Sequence, residues 1–303
     1  MIIVFGSINL DLVTRVARFP APGETVGDAS FATYPGGKGA NQALAAARAG
    51  RSVRMYGAVG RDAFAAPALS LLSAGGVDLA GVARVASPTG CATILVDTHG
   101  ENCIAVASGA NALADSSAVP DSVLTPGAIV ILQHEVPARA NAALIVRARR
   151  LGARVVLNAA PARPLSIKLL RQVDVLVVNE AEASAAAPPV ADAPELAVAI
   201  TLGAQGAMLR YGGTTLSAPA PKVEVVDTTG AGDAFVGALA AALDNGASPA
   251  EALRFGVAAG TLACTMAGAQ PALPRREAII AALRLVTMDS ARTAKLNASN
   301  PER

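Results

Sequence analysis

The sequence predicts an α/β fold in which a mostly parallel sheet lies between two layers of helices. Short, largely apolar runs alternate with Ala-rich helical stretches along the 303 residues of the chain. Strand–helix alternation is typical of parallel sheets that are covered on both faces. Hydrophobic residues make up 52% of the chain, which is enough for the large core of such a three-layer α/β/α sandwich.

The individual elements follow from the same pattern. The apolar runs predict strands at residues 2–5, 53–59, 129–132, 155–157 and 173–178. The Ala-rich stretches predict helices at residues 39–49, 63–74, 138–151 and 165–171.

Two stretches predict a second, smaller sheet. Residues 12–34 and 82–107 alternate polar and apolar residues on either side of turn sequences, as half-exposed hairpins do. We expect these hairpins to form a β lid on a single domain of residues 1–285. Three prolines predict a loop at residues 188–194, and the polar residues 286–303 predict a frayed tail.

Composition excludes several classes of partner. The net charge is +2 and no basic block is present, so no nucleic-acid surface is expected. Cys91, Cys103 and Cys264 show neither a metal-binding spacing nor a disulfide framework, which favours the reducing cytoplasm. No apolar stretch has membrane-spanning length, and the first residues resemble a strand rather than a signal peptide.

The segment at residues 227–233, Asp-Thr-Thr-Gly-Ala-Gly-Asp, is the most informative one, and an apolar helical run follows it. Gly230 and Gly232 allow a ligand to approach the backbone closely. The unpaired N–H groups of a helix start bind phosphate or a developing oxyanion. Asp233 could accept a hydroxyl proton there. The anion-binding helix start and this carboxylate together predict phosphoryl transfer to an alcohol. An ordinary aspartate at a helix start would give the same local pattern.

Other polar residues follow predicted strands, where open α/β sheets bind their ligands. Asn9 and Asp11 point the same way in an extended chain and suit a polyol, although an Asx turn also fits them. Lys38 and Asn41 share one face of a helix that follows two glycines. Glu182 could hold Mg²⁺ through water, or it could be an exposed glutamate of a first helical turn.

Taken together, six motifs in this order resemble those of the PfkB-type carbohydrate kinases across nearly the whole chain, and most of all the ribose-phosphorylating branch of that family. The motifs are residues 6–11, 36–42, 157–162, 179–182, 201–203 and 227–233. The resemblance implies that ATP donates its γ-phosphoryl group to the 5-hydroxyl of D-ribose, giving D-ribose 5-phosphate and ADP. It also implies that the β lid closes over the sugar and pairs with a second copy in a homodimer.

The resemblance further implies roles for individual residues. Asp233 would be the catalytic base, and the N–H groups of Gly230, Ala231 and Gly232 would form an anion hole. The sugar would be held by Asn9, Asp11, Gly37, Lys38, Asn41, Glu135 and Asp233. The ATP side would be lined by Asn179, Thr201, Gly203, Gly206, Gly232 and Val257, with Glu182 ordering Mg²⁺.

A monovalent cation, usually K⁺, is also implied beside the anion hole. Its ligands would be the Asp227 carboxylate and the carbonyls of Thr229, Ala263, Met266 and Gly268. This chain departs from the family pattern at Ala272, where the family has a serine hydroxyl, so weaker K⁺ binding is expected. It departs again at Val257, where the family often has a polar residue near the nucleotide, and in the short segment 188–194.

Two alternatives stay open at this level. The acceptor could be another small molecule, such as deoxyribose, fructose or a nucleoside. Aromatic residues are only 3% of the chain, which disfavours a pocket for a nucleobase. A non-catalytic sugar sensor is the second alternative, and the presence of Asp233 and Glu182 argues against it.

Overall fold

The protein is described here from a computed structural model that covers residues 1–184, 193 and 195–285. The predicted tail at 286–303 and all but Ala193 of the predicted loop at 188–194 lie outside the described residues. The strands are β1 Ile2–Phe5, β2 Asn9–Arg15, β3 Ser30–Gly36, β4 Val53–Val59, β5 Asp78–Arg84, β6 Gly90–Val96, β7 Asn102–Ala107, β8 Ile129–Gln133, β9 Arg154–Asn158, β10 Val175–Asn179, β11 Ala197–Thr201, β12 Ala207–Tyr211 and β13 Thr214–Ala218. The helices are α1 Lys38–Arg48, α2 Ala65–Ala74, α3 Ala138–Arg150, α4 Ile167–Leu170, α5 180–184, α6 Ala231–Asp244, α7 Pro249–Ala263, α8 Ala269–Ala272 and α9 276–285.

A large sheet forms the centre of the described chain. Its strand order is β13-β12-β11-β10-β9-β8-β1-β4-β5. The seven strands from β11 to β5 pair in parallel, and β12 and β13 are added antiparallel at one edge. The predicted mostly parallel sheet is therefore confirmed.

Alternate residues of β1 show the two covered faces of this sheet. Ile2 and Val4 pack in one core with α1, α6 and α7. Ile3 and Phe5 pack in the other core with α3. All four side chains are fully buried, as expected of a central strand with helices on both sides. The three-layer α/β/α prediction is thus confirmed as well.

A separate four-stranded sheet, with the order β3-β2-β6-β7, forms the lid. β2 pairs antiparallel with β3 and parallel with β6, and β7 completes the second hairpin. The predicted lid boundaries need a correction, because residues 82–84 belong to β5 at the edge of the main sheet. An edge strand is half exposed, so it alternates polar and apolar residues as a lid strand does. The first hairpin is also longer than predicted and starts at Asn9.

Two further features are the length of the helices and the state of the cysteines. None of the described helices is long and apolar enough to cross a bilayer. The thiols of Cys91, Cys103 and Cys264 are free.

Candidate functional site

Several strands of the main sheet end beside one another with polar residues. Gln133 at the end of β8 is the register partner of Asn158 at the end of β9, and Asn179 is the register partner of Thr201 on the next pair of strands. Parallel strands present their carboxyl ends at one edge of a sheet, which is where ligands of open α/β sheets bind. Ser7 follows β1 and Glu135 follows β8 at this same edge, and their side chains join at 2.6 Å.

Helix α6 begins at this edge with a glycine turn. Gly230 has a left-handed φ of 78°, which glycine adopts without the strain that a Cβ would add. The N–H groups of Gly230 and Gly232 have no hydrogen-bond partner within the described chain, whereas Ala231 donates its N–H to the Thr228 carbonyl at 3.2 Å. Two of the three predicted anion-hole donors are therefore free, and the helix macrodipole adds partial positive charge there.

The carboxylate of Asp233 lies in the first turn of α6 and is buried. One of its oxygens accepts a hydrogen bond from the amide of Asn41 at 2.8 Å, and the other accepts one from the amide of Gln42 at 2.8 Å. Burial raises the pKa of Asp233, and the charge of Lys38 and these two hydrogen bonds oppose that rise. A buried carboxylate with a raised pKa is a suitable acceptor for a hydroxyl proton.

Three more predicted sugar ligands surround this carboxylate. Asp11 is buried, and burial together with the negative charges of Glu135 and Asp233 raises its pKa to about 7. The pKa of Lys38 is raised, chiefly by the charge of Asp233. Glu135 accepts hydrogen bonds from the Ser7 hydroxyl and from the Lys38 N–H at 3.0 Å. The result is a compact polar cluster of three carboxylates and one ammonium group at the edge of the sheet.

Acceptor atoms in this cluster are left without protein partners. The Oδ1 atom of Asn41 is buried and receives no hydrogen bond from the described chain, although buried polar atoms are usually paired. The Asp11 carboxylate likewise accepts no hydrogen bond from the described residues. These oxygens are positioned to accept hydrogen bonds from the hydroxyl groups of a ligand.

Close backbone approaches shape the same cluster. A Cβ on Gly36 would lie 2.2 Å from the Asp11 carboxylate, so this glycine makes room for the acid. Gly37, at the start of α1, has a φ of 87°, and a Cβ there would lie 2.8 Å from the backbone of Asn9. Gly36 at the end of β3 therefore leaves room for the Asp11 side chain, and Gly37 allows the start of α1 to approach the backbone of β2.

Three residues to which the sequence interpretation gave no role contribute to this geometry. Gln42 contacts Asp233, and Ser7 holds Glu135. Asn111, in the turn after β7, donates a hydrogen bond to the Asn9 side chain at 2.7 Å and also accepts one from the Ile8 N–H. Their partners lie more than 100 residues away in the sequence, so no local motif could have revealed these contacts.

The predicted nucleotide residues follow the next strands of the sheet. Asn179 accepts a hydrogen bond from the Glu182 N–H, and Glu182 accepts one from the Asn179 N–H at 2.9 Å. This reciprocal pair caps α5. The other oxygen of Glu182 has no partner among the residues that the structure describes. Thr201, Gly203 and Gly206 form the tight turn between β11 and β12.

Val257 was predicted to lie near the nucleotide. It belongs to α7, only 5% of the residue is exposed, and it packs in the main core. Little of its surface is therefore left for a ligand, and its contact with the nucleotide stays a prediction.

The predicted cation ligands lie on two connected loops. The two oxygens of Asp227 accept hydrogen bonds from the N–H groups of Thr229 and Gly268, each at 2.8 Å. Burial would raise the pKa of Asp227, but these contacts hold it below its usual value. Ala263 ends α7, and Met266 lies in the following turn. The loop before α6 is thus tied to the loop after α7, and the buried Ala272 adds no side-chain oxygen.

This fold and this site define a class of protein. The sequence profile described as "pfkB family carbohydrate kinase" matches residues 1–276, and the chain belongs to this family. It is therefore a member of a class of enzymes that transfer a phosphoryl group to a carbohydrate, as its motifs predicted.

Within that family the chain is similar to ribokinases. The ribokinase of Lactococcus lactis is 38% identical over 289 residues, which cover 93% of this chain and 96% of the relative. The ribokinase of Bacillus subtilis is 36% identical and covers 92% of this chain and 97% of the relative. The structure of Arabidopsis thaliana ribokinase complexed with ribose and ATP matches with a TM-score of 0.84 at 33% identity, over 93% of this chain and 98% of that chain.

Proposed function

We propose that this protein is an ATP-dependent kinase that phosphorylates D-ribose at its 5-hydroxyl group. The observation that carries the proposal is the buried Asp233 carboxylate, which lies at the free N–H groups of α6 and beside the polar cluster of Asp11, Lys38 and Glu135. Such a site combines a proton acceptor, an anion site and partners for several hydroxyl groups. Similarity to ribokinases, including one complexed with ribose and ATP, supports D-ribose as the acceptor.

The proposed reaction is an in-line transfer. The 5-hydroxyl oxygen of the sugar forms a bond to the γ-phosphorus while the bond from that phosphorus to the β–γ bridging oxygen breaks. The hydroxyl proton moves to Asp233, and ADP leaves with the bridging oxygen. The N–H groups of Gly230 and Gly232 stabilise the charge on the transferred group, as preorganised donors do in phosphoryl transfer.

The remaining residues have positioning roles in this proposal. Asn9, Asp11, Gly37, Lys38, Asn41 and Glu135 hold the sugar. Asn179, Thr201, Gly203 and Gly206 line the nucleotide side, and the buried position of Val257 gives it no more than a minor part. The lid sheet covers the sugar and excludes water, which otherwise competes as the phosphoryl acceptor.

Two metal ions belong to the proposal. The Glu182 oxygen that no described residue contacts fits a Mg²⁺ ion held through water, because Mg²⁺ keeps several waters and needs few carboxylates. Bound Mg²⁺ would neutralise charge on the phosphates. Asp227 and nearby carbonyl oxygens suit a K⁺ ion, which would support the loop before α6, and the missing oxygen at Ala272 weakens that site.

A homodimer through the lid is part of the same proposal. Ile104 and Val106 lie on one face of β7 and are 52% and 56% exposed. Exposed apolar patches on a sheet favour association. Sedimentation velocity should show a dimer for the native protein and a monomer for Ile104→Lys combined with Val106→Lys. A native monomer would contradict this assignment. The three free thiols agree with the proposed cytoplasmic location.

The test of the function is an ADP-release assay over a panel of acceptors. We expect the highest kcat/KM with D-ribose, lower values with deoxyribose and fructose, and none with nucleosides. The reaction should require Mg²⁺ and respond to K⁺ in place of Na⁺. Turnover that is highest with another acceptor would overturn the ribose assignment, and sugar binding by calorimetry without turnover would identify a sensor.

A further inference from the structure

Gln42 occupies an unusual position next to the Asp233 carboxylate. Its side chain lies on α1, is fully buried and makes three hydrogen bonds. Its amide nitrogen donates to Asp233 at 2.8 Å and to Asn158 at 3.1 Å, and its amide oxygen accepts from Gln133 at 2.8 Å. The partners come from α6 and from the carboxyl ends of β8 and β9.

This network fixes the orientation of the Gln42 amide. Both hydrogens of its nitrogen are used, and its oxygen receives a hydrogen from Gln133. A flipped amide would direct an oxygen at the Asp233 carboxylate and at the Asn158 oxygen, and would lose all three hydrogen bonds. Asn158 is itself held, because it donates to the Val177 carbonyl at 3.2 Å. Gln42 therefore always presents a donor to Asp233.

Gln133 in turn is held in place by its surroundings. It belongs to β8, and its side-chain oxygen lies only 1.9 Å from the position that a Cβ on Gly6 would take. The absence of a side chain at Gly6 therefore leaves the space that this oxygen occupies. Its backbone carbonyl accepts a hydrogen bond from Asn141 at 2.6 Å. The donor to the Asp233 carboxylate is thus supported by a chain of groups that reaches into the central sheet.

We infer that Gln42 positions the catalytic base: it fixes the rotamer of Asp233 and favours the ionised form of that carboxylate. This inference rests on the proposed kinase function. The hydrogen bond from Gln42 favours the ionised form of Asp233. Burial of Asp233 acts in the opposite direction and raises its pKa. Asn41 supplies a second donor to Asp233, but its side-chain oxygen has no partner in the described chain and is available to the sugar. In Gln42, by contrast, both the amide nitrogen and the amide oxygen are bound by protein groups.

The test is the variant Gln42→Met, which keeps the length of the side chain and removes its donors. One hydrogen bond to a charged group corresponds to a factor of about 10–100, so kcat with ribose should fall by about that factor. The KM for ribose should change by less than about threefold, because Gln42 has no atom free for a ligand. The acid limb of the kcat/KM pH profile should move up by about one pH unit, since Asp233 loses a donor to its ionised form.

Two other variants separate positioning from a merely structural role. Gln270→Met removes another fully buried glutamine, whose side-chain amide has no hydrogen-bond partner in the described chain, and it should leave the acid limb unmoved. Gln42→Glu places a carboxyl group that donates only when protonated, so its loss of activity should grow as the pH rises. This variant supplies a second pH-dependent readout if Gln42→Met does not fold.

The inference would be overturned by an acid limb that stays in place in Gln42→Met or moves equally in Gln270→Met. An activity loss in Gln42→Glu that does not vary with pH would also overturn it. A native enzyme that releases no ADP with any sugar would instead overturn the proposed function. The two failures are therefore distinguishable.

Discussion

Asn41 and Asp233 are joined by a hydrogen bond of 2.8 Å across 192 residues of sequence. The Asn41 nitrogen donates to one carboxylate oxygen, while the Asn41 oxygen is buried and has no partner in the part of the chain that the structure describes. The same side chain thus holds the base and offers an acceptor to a ligand. The two residues meet because α1 and α6 pack closely, and a Cβ on Gly237 of α6 would lie 2.6 Å from the carbonyl of Gln42.

Replacing Asn41 by alanine tests this double role. The variant loses an acceptor for a sugar hydroxyl, which corresponds to about a 2- to 10-fold rise in KM for ribose. It also loses a donor to Asp233, so kcat should fall as well. Gln270→Ala is a matched control, since Gln270 is fully buried and its side-chain amide has no hydrogen-bond partner among the described residues. Steady-state kinetics of both variants should show the KM effect in Asn41→Ala alone, and an equal effect in both would exclude a sugar contact.

Substitution of Gly232 by alanine should change activity and stability in opposite directions. A Cβ at this position meets no atom within 4 Å, and alanine in place of a helical glycine stabilises by about 0.5–1 kcal/mol. The added methyl group would intrude where the phosphoryl group approaches the free N–H groups, so kcat should fall at least about 10-fold. Thermal unfolding and ADP release measure the two effects. Full activity in a stabilised variant would exclude this turn as the anion site.

The raised pKa of Asp11 predicts a pH-dependent effect on stability. Its pKa is about 7 in the folded protein and about 3.9 in an unfolded chain. The folded state therefore binds more protons, and Asp11 destabilises it increasingly as the pH rises from about 4 to about 7. Asp11→Asn should be more stable than the native protein by on the order of 2–4 kcal/mol at pH 8, and this gain should shrink toward pH 5.

Denaturant unfolding at several pH values measures that difference. The same variant should bind ribose more weakly, since an amide nitrogen cannot accept hydroxyl protons. A stability difference that does not vary with pH would show that Asp11 titrates normally.

Removal of the Asp227 carboxylate should lower kcat and abolish the dependence of kcat on K⁺. Asp227→Ala loses the hydrogen bonds from the Thr229 and Gly268 N–H groups, so the loop before α6 loosens. We expect kcat to fall by at least about 10-fold, because the loop before the anion site loses two hydrogen bonds to a charged group, and we expect the K⁺ response to disappear. Asp115→Ala, which removes an exposed aspartate that bonds to the Ser117 N–H, is the control. A K⁺ response that persists in Asp227→Ala would place the cation elsewhere.

Local patterns in the sequence predict most of the fold. The parallel sheet follows from apolar runs such as 129–132, because strands covered on both faces need no polar residues. The error at residues 82–84 arose because an edge strand of the main sheet has the same alternation as a lid strand. Register and strand order depend on contacts distant in sequence, so they could be known only from the structure.

The site shows the same division between local and distant information. Asp233 and its glycine turn are adjacent in sequence and were predicted from spacing. The donors that hold Asp233 come from α1, and the roles of Gln42 and Asn111 depend on pairings that no single motif contains. The buried position of Val257 likewise follows from the packing of α7 in the main core.

The central claim is that Asp233 removes the proton from the sugar hydroxyl, and the most direct measurement compares turnover with binding in Asp233→Ala. We expect kcat with D-ribose and ATP to fall by at least about 10²- to 10⁴-fold, the usual contribution of a general base. Calorimetry should find that ribose affinity falls by no more than about 10- to 100-fold, which is the effect of losing one hydrogen bond to a charged group. A variant that keeps kcat near the native value would contradict the assignment of the base.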